Sequence, residues 1–195
     1  IPGPLADRSG VKPMKQKLVI IGAGMASGRA LEHLLDTNPD VYDVTLINAE
    51  PRGNYNRIML SPVLAGEKTI DEIMLNDEQW YVDNGITLHK GKEVTEIDRV
   101  NRKVIAADGT TEEYDRLLIA TGSNPFIIPI PGHDLDGVVS FRDIQDVDRM
   151  FLAAKKKNHA VVSRGVLLSI DAANGVKAQG RSINQVQRTD VAIAS

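Results

Sequence analysis

The run Gly22-Ala23-Gly24-Met25-Ala26-Ser27-Gly28 has the residue types and spacing of a loop that takes a diphosphate. In such a loop the first glycine makes a tight turn and the second lets the backbone come close to a phosphate. A small third residue lets the following helix pack hard against the preceding strand. The third place here is Ser27, with Gly28 directly after it, and serine is small enough to preserve that packing. A helix starting at the loop offers free N–H groups and a partial positive charge to the anion. Glu50 is the second candidate, because a carboxylate at the end of the next strand can accept hydrogen bonds from both hydroxyls of a ribose.

Those residues need a strand, a helix and a second strand in the right order, and the flanking sequence supplies them. Leu18 to Ile21 form a continuous apolar run, as expected of a parallel strand buried on both faces. Ala30, Leu31, Leu34 and Leu35 then recur at helical spacing and stop near Thr37-Asn38-Pro39-Asp40. Val44 to Ile47 read as the second strand. The whole is a β-α-β unit of about thirty residues.

Beyond it, residues 51–75 read as a polar turn and short helical pieces, and residues 76–85 as a helix stopped by glycine. From Ile86 the pattern alternates in short runs, with Asn101-Arg102 and Asp108-Gly109 as turns, which predicts an antiparallel meander. Arg116 to Gly122 returns to the buried-strand pattern, and residues 140–157 read as a helix.

Composition narrows the function classes. Apolar residues make up 42% of the 195 and charged residues 25%, which suits an ordinary globular protein. The net charge of −3 gives no basic surface for nucleic acid. No apolar run approaches the roughly 20 residues of a membrane span. With no cysteine, the chain holds no disulfide, thiolate metal site or redox-active thiol, and a reducing cytoplasmic setting fits. His33, His89, His133 and His159 are scattered without ligand spacing, so no metal site is expected. There is no Gly-x-Ser-x-Gly elbow, and no residue is assigned as a catalytic acid, base or nucleophile. Trp80 and Tyr81 are expected to anchor a helix to the sheet, and Lys155-Lys156-Lys157 to end one.

The order of glycine loop, polar insert, meander and Tyr114-Asp115-Arg116-Leu117-Leu118-Ile119-Ala120-Thr121-Gly122 resembles the two-dinucleotide-binding, pyridine nucleotide–disulfide reductase-like flavoproteins. From about Met14 to Val162, the segments IGAGMASGRALEHL, INAEPRGNYNRIMLSPVLAGEKT and YDRLLIATGSNPFIIPIPGHDLDGVVSFR are similar to the N-terminal part of the large-subunit family of bacterial assimilatory NAD(P)H-nitrite reductases. The resemblance implies an α/β fold: a Rossmann-like FAD-binding domain with a parallel sheet and an antiparallel meander, then the truncated start of a second Rossmann-like NAD(P)H domain. It places Gly22, Ala23, Gly24, Met25 and Ala26 along the FAD pyrophosphate and Glu50, with Asn48 as the alternative, on the adenosine ribose. Arg57 would approach the flavin or its phosphates, the alternative being a solvated loop arginine. Val94 would touch adenine through its backbone, and Ala120, Thr121 and Gly122 would form a second loop against the cofactor. Many relatives have lysine where Pro62 stands, so any charge contact from that lysine is missing.

At the expected start of the NAD(P)H domain, Ala160-Val161-Val162-Ser163 is followed by Arg164, Val166 and Ser169 at the three glycine places. A β-branched valine at the second place obstructs a phosphate, so a degenerate site is expected, with Arg164 contacting phosphate as the alternative. The domain expectation is a disordered leader at 1–13, an FAD-binding segment at 14–140, a linker helix at 141–159 and an incomplete NAD(P)H-binding start at 160–195, with Met14 as the natural start. The activity implied is hydride transfer from NAD(P)H to FAD, with sirohaem and an iron–sulfur cluster confined to a C-terminal part absent from this sequence. The alternatives are a nucleotide-binding module or truncated product without turnover, and a ferredoxin or rubredoxin reductase-like flavoprotein.

Overall fold

The computed structural model describes residues 14–163 and 167–186. The chain begins with strand β1 (Gln16–Ile21), helix α1 (Met25–Thr37) and strand β2 (Tyr42–Asn48). The insert carries helices α2 (Leu60–Ala65) and α3 (Glu78–Asp83), with single 3₁₀ turns at Arg57–Met59 and Asp71–Ile73. Five strands follow: β3 (Thr87–Lys90), β4 (Val94–Asp98), β5 (Lys103–Ala106), β6 (Thr111–Glu113) and β7 (Arg116–Ile119). Helix α4 (Ile144–Lys156), strand β8 (His159–Ser163), helix α5 (Leu167–Ala178) and strand β9 (Ser182–Val186) complete the order.

A four-stranded parallel sheet, β3-β2-β1-β7, forms the centre. Its register sets Ile21 beside both Ile47 and Ile119, so the loops after β1, β2 and β7 leave the same edge of the sheet. Alternation along β1 divides the core between two faces. Ile20 joins Leu31, Val44, Leu46, Tyr81 and Ile86 on the side of α1 and α3. Val19 and Ile21 join Ile47 and Val104 on the other side, under the meander β4-β5-β6. Trp80 and Tyr81 meet edge to face at 5.1 Å and pack against the first of these cores, the anchoring role expected of them. A third cluster, around Tyr55, Leu60, Leu64, Ile73, Ile144 and Val147, joins α2 to α4.

Two sequence expectations are corrected. The meander does not begin at Ile86: residues 87–90 form the parallel edge strand β3, with Thr45 beside Thr87 and Ile47 beside His89. Burial of Ile86 among the α1-side residues draws that segment into the main sheet, leaving three strands in the meander. The second correction concerns Arg116 to Gly122. β7 is the outermost strand of its sheet among the described residues; Leu117 and Leu118 pack against the cores on opposite faces but are only partly buried, and Ile119 is 59% exposed, so the run is covered less fully than expected.

β8 and β9 pair in parallel as a separate two-stranded sheet connected by α5. α5 rests on α2: a Cβ added at Gly175 would stand 2.8 Å from the Leu64 side chain, and Gln179 Nε2 donates to the Leu64 carbonyl at 3.1 Å. Residues 164–166, which hold two of the three altered glycine places, lie outside the described residues, as do the leader at 1–13 and residues 187–195. No helix among the described residues is long and apolar enough to cross a membrane.

Candidate dinucleotide-binding site

The glycine loop is locked to both neighbouring strands. Gly22 donates to the Ile47 carbonyl at 2.8 Å, and Ala120 donates to the Ile21 carbonyl at 2.8 Å. Gly22 has φ +100°, and an added Cβ would lie 2.5 Å from the Ala120 oxygen. Only glycine satisfies both demands. The Ala120-Thr121-Gly122 loop therefore lies directly on the turn, where the sequence brings the two together only by analogy.

Gly24 is different in kind. Its backbone is extended, φ −84° and ψ −178°, and any residue can adopt that conformation. Nothing lies within 4 Å of a Cβ placed there. Its missing side chain therefore serves neither the turn nor the packing; it leaves open space at the start of α1. That helix begins at Met25 with no side-chain cap and no acidic residue in its first turn. The contrast with α3 and α4 is direct: Asp77 accepts from the Trp80 N–H at 2.8 Å, and Asp143 from the Asp146 N–H at 2.9 Å. The first N–H groups of α1, from Met25 and Ala26, thus face a gap with no carboxylate to fill it. Ala23 is not among the open donors, since its N–H goes to Asn48 Oδ1 at 3.2 Å. Asn48 also donates to the Arg52 carbonyl at 2.7 Å, so both ends of its buried amide are engaged inside the protein.

Ser27 is fully buried, and its hydroxyl donates to the Gly24 carbonyl at 3.0 Å. The close approach expected of the third glycine is shared with Gly28, where an added Cβ would lie 2.1 Å from Asn54 Nδ2. Asn54 belongs to a buried polar network that sequence reasoning missed. Its amide donates to Asn76 Oδ1 at 2.7 Å, Tyr81 Oη donates to Asn54 Oδ1 at 2.8 Å, and the Asn54 N–H donates to Tyr81 Oη at 3.2 Å. The Gly28 position is thereby keyed to the insert. No local pattern could have shown it, because the partners lie 22 and 27 residues apart.

Glu50 leaves the same sheet edge two residues after β2, held through its carbonyl by the Gly91 N–H at 3.0 Å. Its carboxylate is 17% exposed and doubly engaged. Tyr55 Oη donates to Oε2 at 2.8 Å, and Arg57 Nη2 forms an ion pair with Oε1. The Arg57 guanidinium also stacks 4.9 Å above the Tyr55 ring and donates through Nη1 to the Arg142 carbonyl at 3.1 Å. Burial first, and then the bond to Glu50, push the Tyr55 phenol above its ordinary range, so it remains a donor. Arg142 in turn donates through Nη2 to Ser123 Oγ at 3.1 Å, closing a ring of contacts from β2 through the insert to the loop after β7. Arg142 carried no signal in the sequence; its link to Arg57 spans 85 residues. Val94 opens β4 and packs against Val19, Ile21, Ile47 and Val104. Among the described residues, no group of three or more His, Asp or Glu side chains is placed to hold a metal ion.

A buried two-strand crossover, a helix uncapped toward open space and a carboxylate at the next strand's end together define a Rossmann-type dinucleotide-binding protein. The chain belongs to the pyridine nucleotide-disulphide oxidoreductase family, whose model matches residues 16–191. It is 44% identical over 172 residues to the nitrite reductase [NAD(P)H] of Bacillus subtilis, covering 88% of this chain and 21% of that protein. It is 41% identical over 175 residues to the assimilatory nitrate reductase electron transfer subunit of the same organism, covering 90% of this chain and 23% of that one. The crystal structure of NADH:rubredoxin oxidoreductase from Clostridium acetobutylicum superimposes with a TM-score of 0.79 at 29% identity, over 88% of this chain and 44% of that one. The chain therefore spans under a quarter of the length of the two curated relatives named here.

Proposed function

We propose that this chain is the FAD-binding, electron-input part of a cytoplasmic NAD(P)H-dependent oxidoreductase serving nitrite reduction. The observation that carries the reading is Gly24: a glycine required by neither backbone nor packing, opening space at an uncapped helix start. The N–H groups of Met25 and Ala26 would take the pyrophosphate of FAD, with Gly22 shaping the turn and Ala23 bracing it from behind. Glu50 would accept the adenosine ribose hydroxyls, and the Val94 backbone would border adenine. Arg57 would stand behind Glu50, and Ala120, Thr121 and Gly122 would border the cofactor from the loop after β7.

Residues 14–140 would form the FAD segment and 141–159 the linker helix, with 160–195 beginning the nicotinamide unit. When bound, FAD supplies acceptance of a hydride and onward release of electrons. The chain's own residues would bind it and orient it, and the reading assigns none of them as an acid or base. In the complete protein the electrons would continue through iron–sulfur and sirohaem centres to nitrite. The likeness to NADH:rubredoxin oxidoreductase supports a second reading, in which the acceptor is a small redox protein.

Titrating the purified chain with FAD, and following Trp80 fluorescence and the visible flavin band, tests the proposal. Quenching that saturates, with a yellow protein after desalting, is expected. A colourless protein with a flat titration overturns it. Anaerobic addition of NADH then tests the second unit: Arg164, Val166 and Ser169 in place of glycines predict no useful bleaching of the bound flavin.

A further inference from the structure

Strands β8 and β9 pair from His159 and Ser182 onward, so the turn from α5 to β9 lies at the sheet edge away from the loop after Ser163. The C-terminal half of α4 stands beside that turn, about 15–20 Å along the helix from Arg142. The two enclose a groove of about 460 Å³, within the range of sites for small organic molecules. None of its walls belongs to either glycine loop. Phe151, Leu152 and Ala154 make it apolar along α4, with Leu152 58% exposed. Phe151 also packs against the cluster around Tyr55 and Leu64, so this wall is backed by the core. Gln179 closes the far side, its Nε2 committed to the Leu64 carbonyl.

Two cations line the same groove. Lys155 and Arg181 form no ion pair among the described residues. Arg181 is anchored at one corner, where Nη1 donates to Asn158 Oδ1 at 3.0 Å. Its Nε is enclosed and has no acceptor among the described residues. An enclosed donor left unmet is uncommon in folded proteins and points to an acceptor that fills the role. A guanidinium takes a carboxylate through two parallel N–H groups, and a slight turn about the Nη1 anchor would present the Nε edge to the groove. Asp148 lines the groove from a position seven residues before Lys155, about 10 Å up the helix. The groove is thus positive at one end, negative at the other and apolar between, which suits one negative charge and repels a second.

We propose that this groove binds a small organic monocarboxylate, its head on Lys155 and Arg181 and its apolar body over Phe151 and Leu152. The site is separate from the dinucleotide loop and does not depend on that reading.

The test is a titration of the nitrogen-labelled chain with hydrocinnamate, followed by heteronuclear NMR that includes the Arg181 Nε–H signal. A saturable shift of that signal and of the 148–155 amides is expected, with a dissociation constant below about 1 mM for a ligand of this size. Hydrocinnamamide, which lacks the charge, and phenylsuccinate, which carries two, should each bind about fivefold more weakly or worse. Arg181→Lys keeps the charge but loses the planar fork and should weaken hydrocinnamate about fivefold. Leu152→Ser changes an exposed position, so it tests the site without burdening the fold, and should weaken it about threefold. The absence of a saturable shift, an equal response to the amide, or wild-type affinity in both variants overturns the proposal. Displacement of hydrocinnamate by ADP would place the probe in the nucleotide site and overturn it as well.

Discussion

Replacing Gly24 with alanine separates a glycine kept for a ligand from one kept for the fold. At φ −84° and ψ −178° alanine meets no backbone penalty, and its methyl would find nothing within 4 Å. Removing a glycine stiffens the unfolded chain and stabilises by about 0.4–1 kcal/mol. Alanine is a poorer helix N-cap than glycine by about 0.5–1 kcal/mol, with the opposite sign. The two nearly cancel, so the flavin-free variant should melt within about 2 °C of wild type. Binding has no such compensation. On the proposed reading the methyl would occupy the space through which phosphate oxygens reach the Met25 and Ala26 N–H groups, and losing one charge-assisted bond costs about 1.5–3 kcal/mol, or roughly ten- to a hundredfold in affinity. Gly22→Ala is the control, because its Cβ would sit 2.5 Å from the Ala120 oxygen at φ +100°. That variant should lose several kcal/mol, about 3 or more, whether or not flavin is present. Thermal melts without flavin, beside FAD titrations of the same samples, check both halves. Wild-type FAD affinity in Gly24→Ala would refute the reasoning, as would a large drop in its flavin-free melting temperature.

Three further outcomes follow from the same structure. Tyr81→Phe leaves two buried polar groups of Asn54 without their partner and should cost about 1–3 kcal/mol in urea unfolding; a shift under a few tenths of that would show the network to be expendable. Gly28→Ala drives a methyl into Asn54 and should destabilise by about 2–4 kcal/mol, with much of the loss recovered when Asn54 is also shortened to Ala. The Asn101 N–H holds the Asp98 carboxyl below its ordinary range, the Lys92 ammonium does so for Asp108, and Lys17 with Lys103 does so for Glu113. All three are depressed in the fold, so their stabilisation is present above the unfolded value near pH 4 and is lost as pH falls below it. The urea midpoint should therefore hold level down to about pH 5 and then drop, less steeply in Asp108→Asn, and an equally steep drop there would remove Asp108 from the account.

What the sequence disclosed and what it hid divide along contact distance. The β-α-β unit from Gln16 to Asn48 was legible because its signals are local: an apolar run, a glycine loop and a 3.6-residue period. The role of Asn48 was not, since its acceptor faces a backbone N–H 25 residues earlier, and an asparagine after a strand reads equally well as a ligand contact. The segment 87–90 alternates like a meander strand, and nothing in its residues says that it pairs with β2 in parallel. The apolar run of β7 suggested a strand as deeply buried as β1, but only the strand order shows it to be outermost among the described residues, with Leu117 and Leu118 partly covered. Arg57 illustrates the same limit at the site. Its type and place suit a phosphate contact, and only the fold brings Glu50, Tyr55 and the Arg142 carbonyl around it.

The outer position of β7 also governs how this polypeptide behaves as a colloid. One rim of the strand has no partner among the described residues, and Ile119, Phe126, Ile127 and Ile130 stand exposed along and after it. An unpaired strand rim beside greasy side chains is a template for another chain to add to. The molecule should scatter light increasingly with concentration, and more so when warmed. Charged residues at 119 and 126 would be the first changes to make for anyone wishing to keep it dispersed.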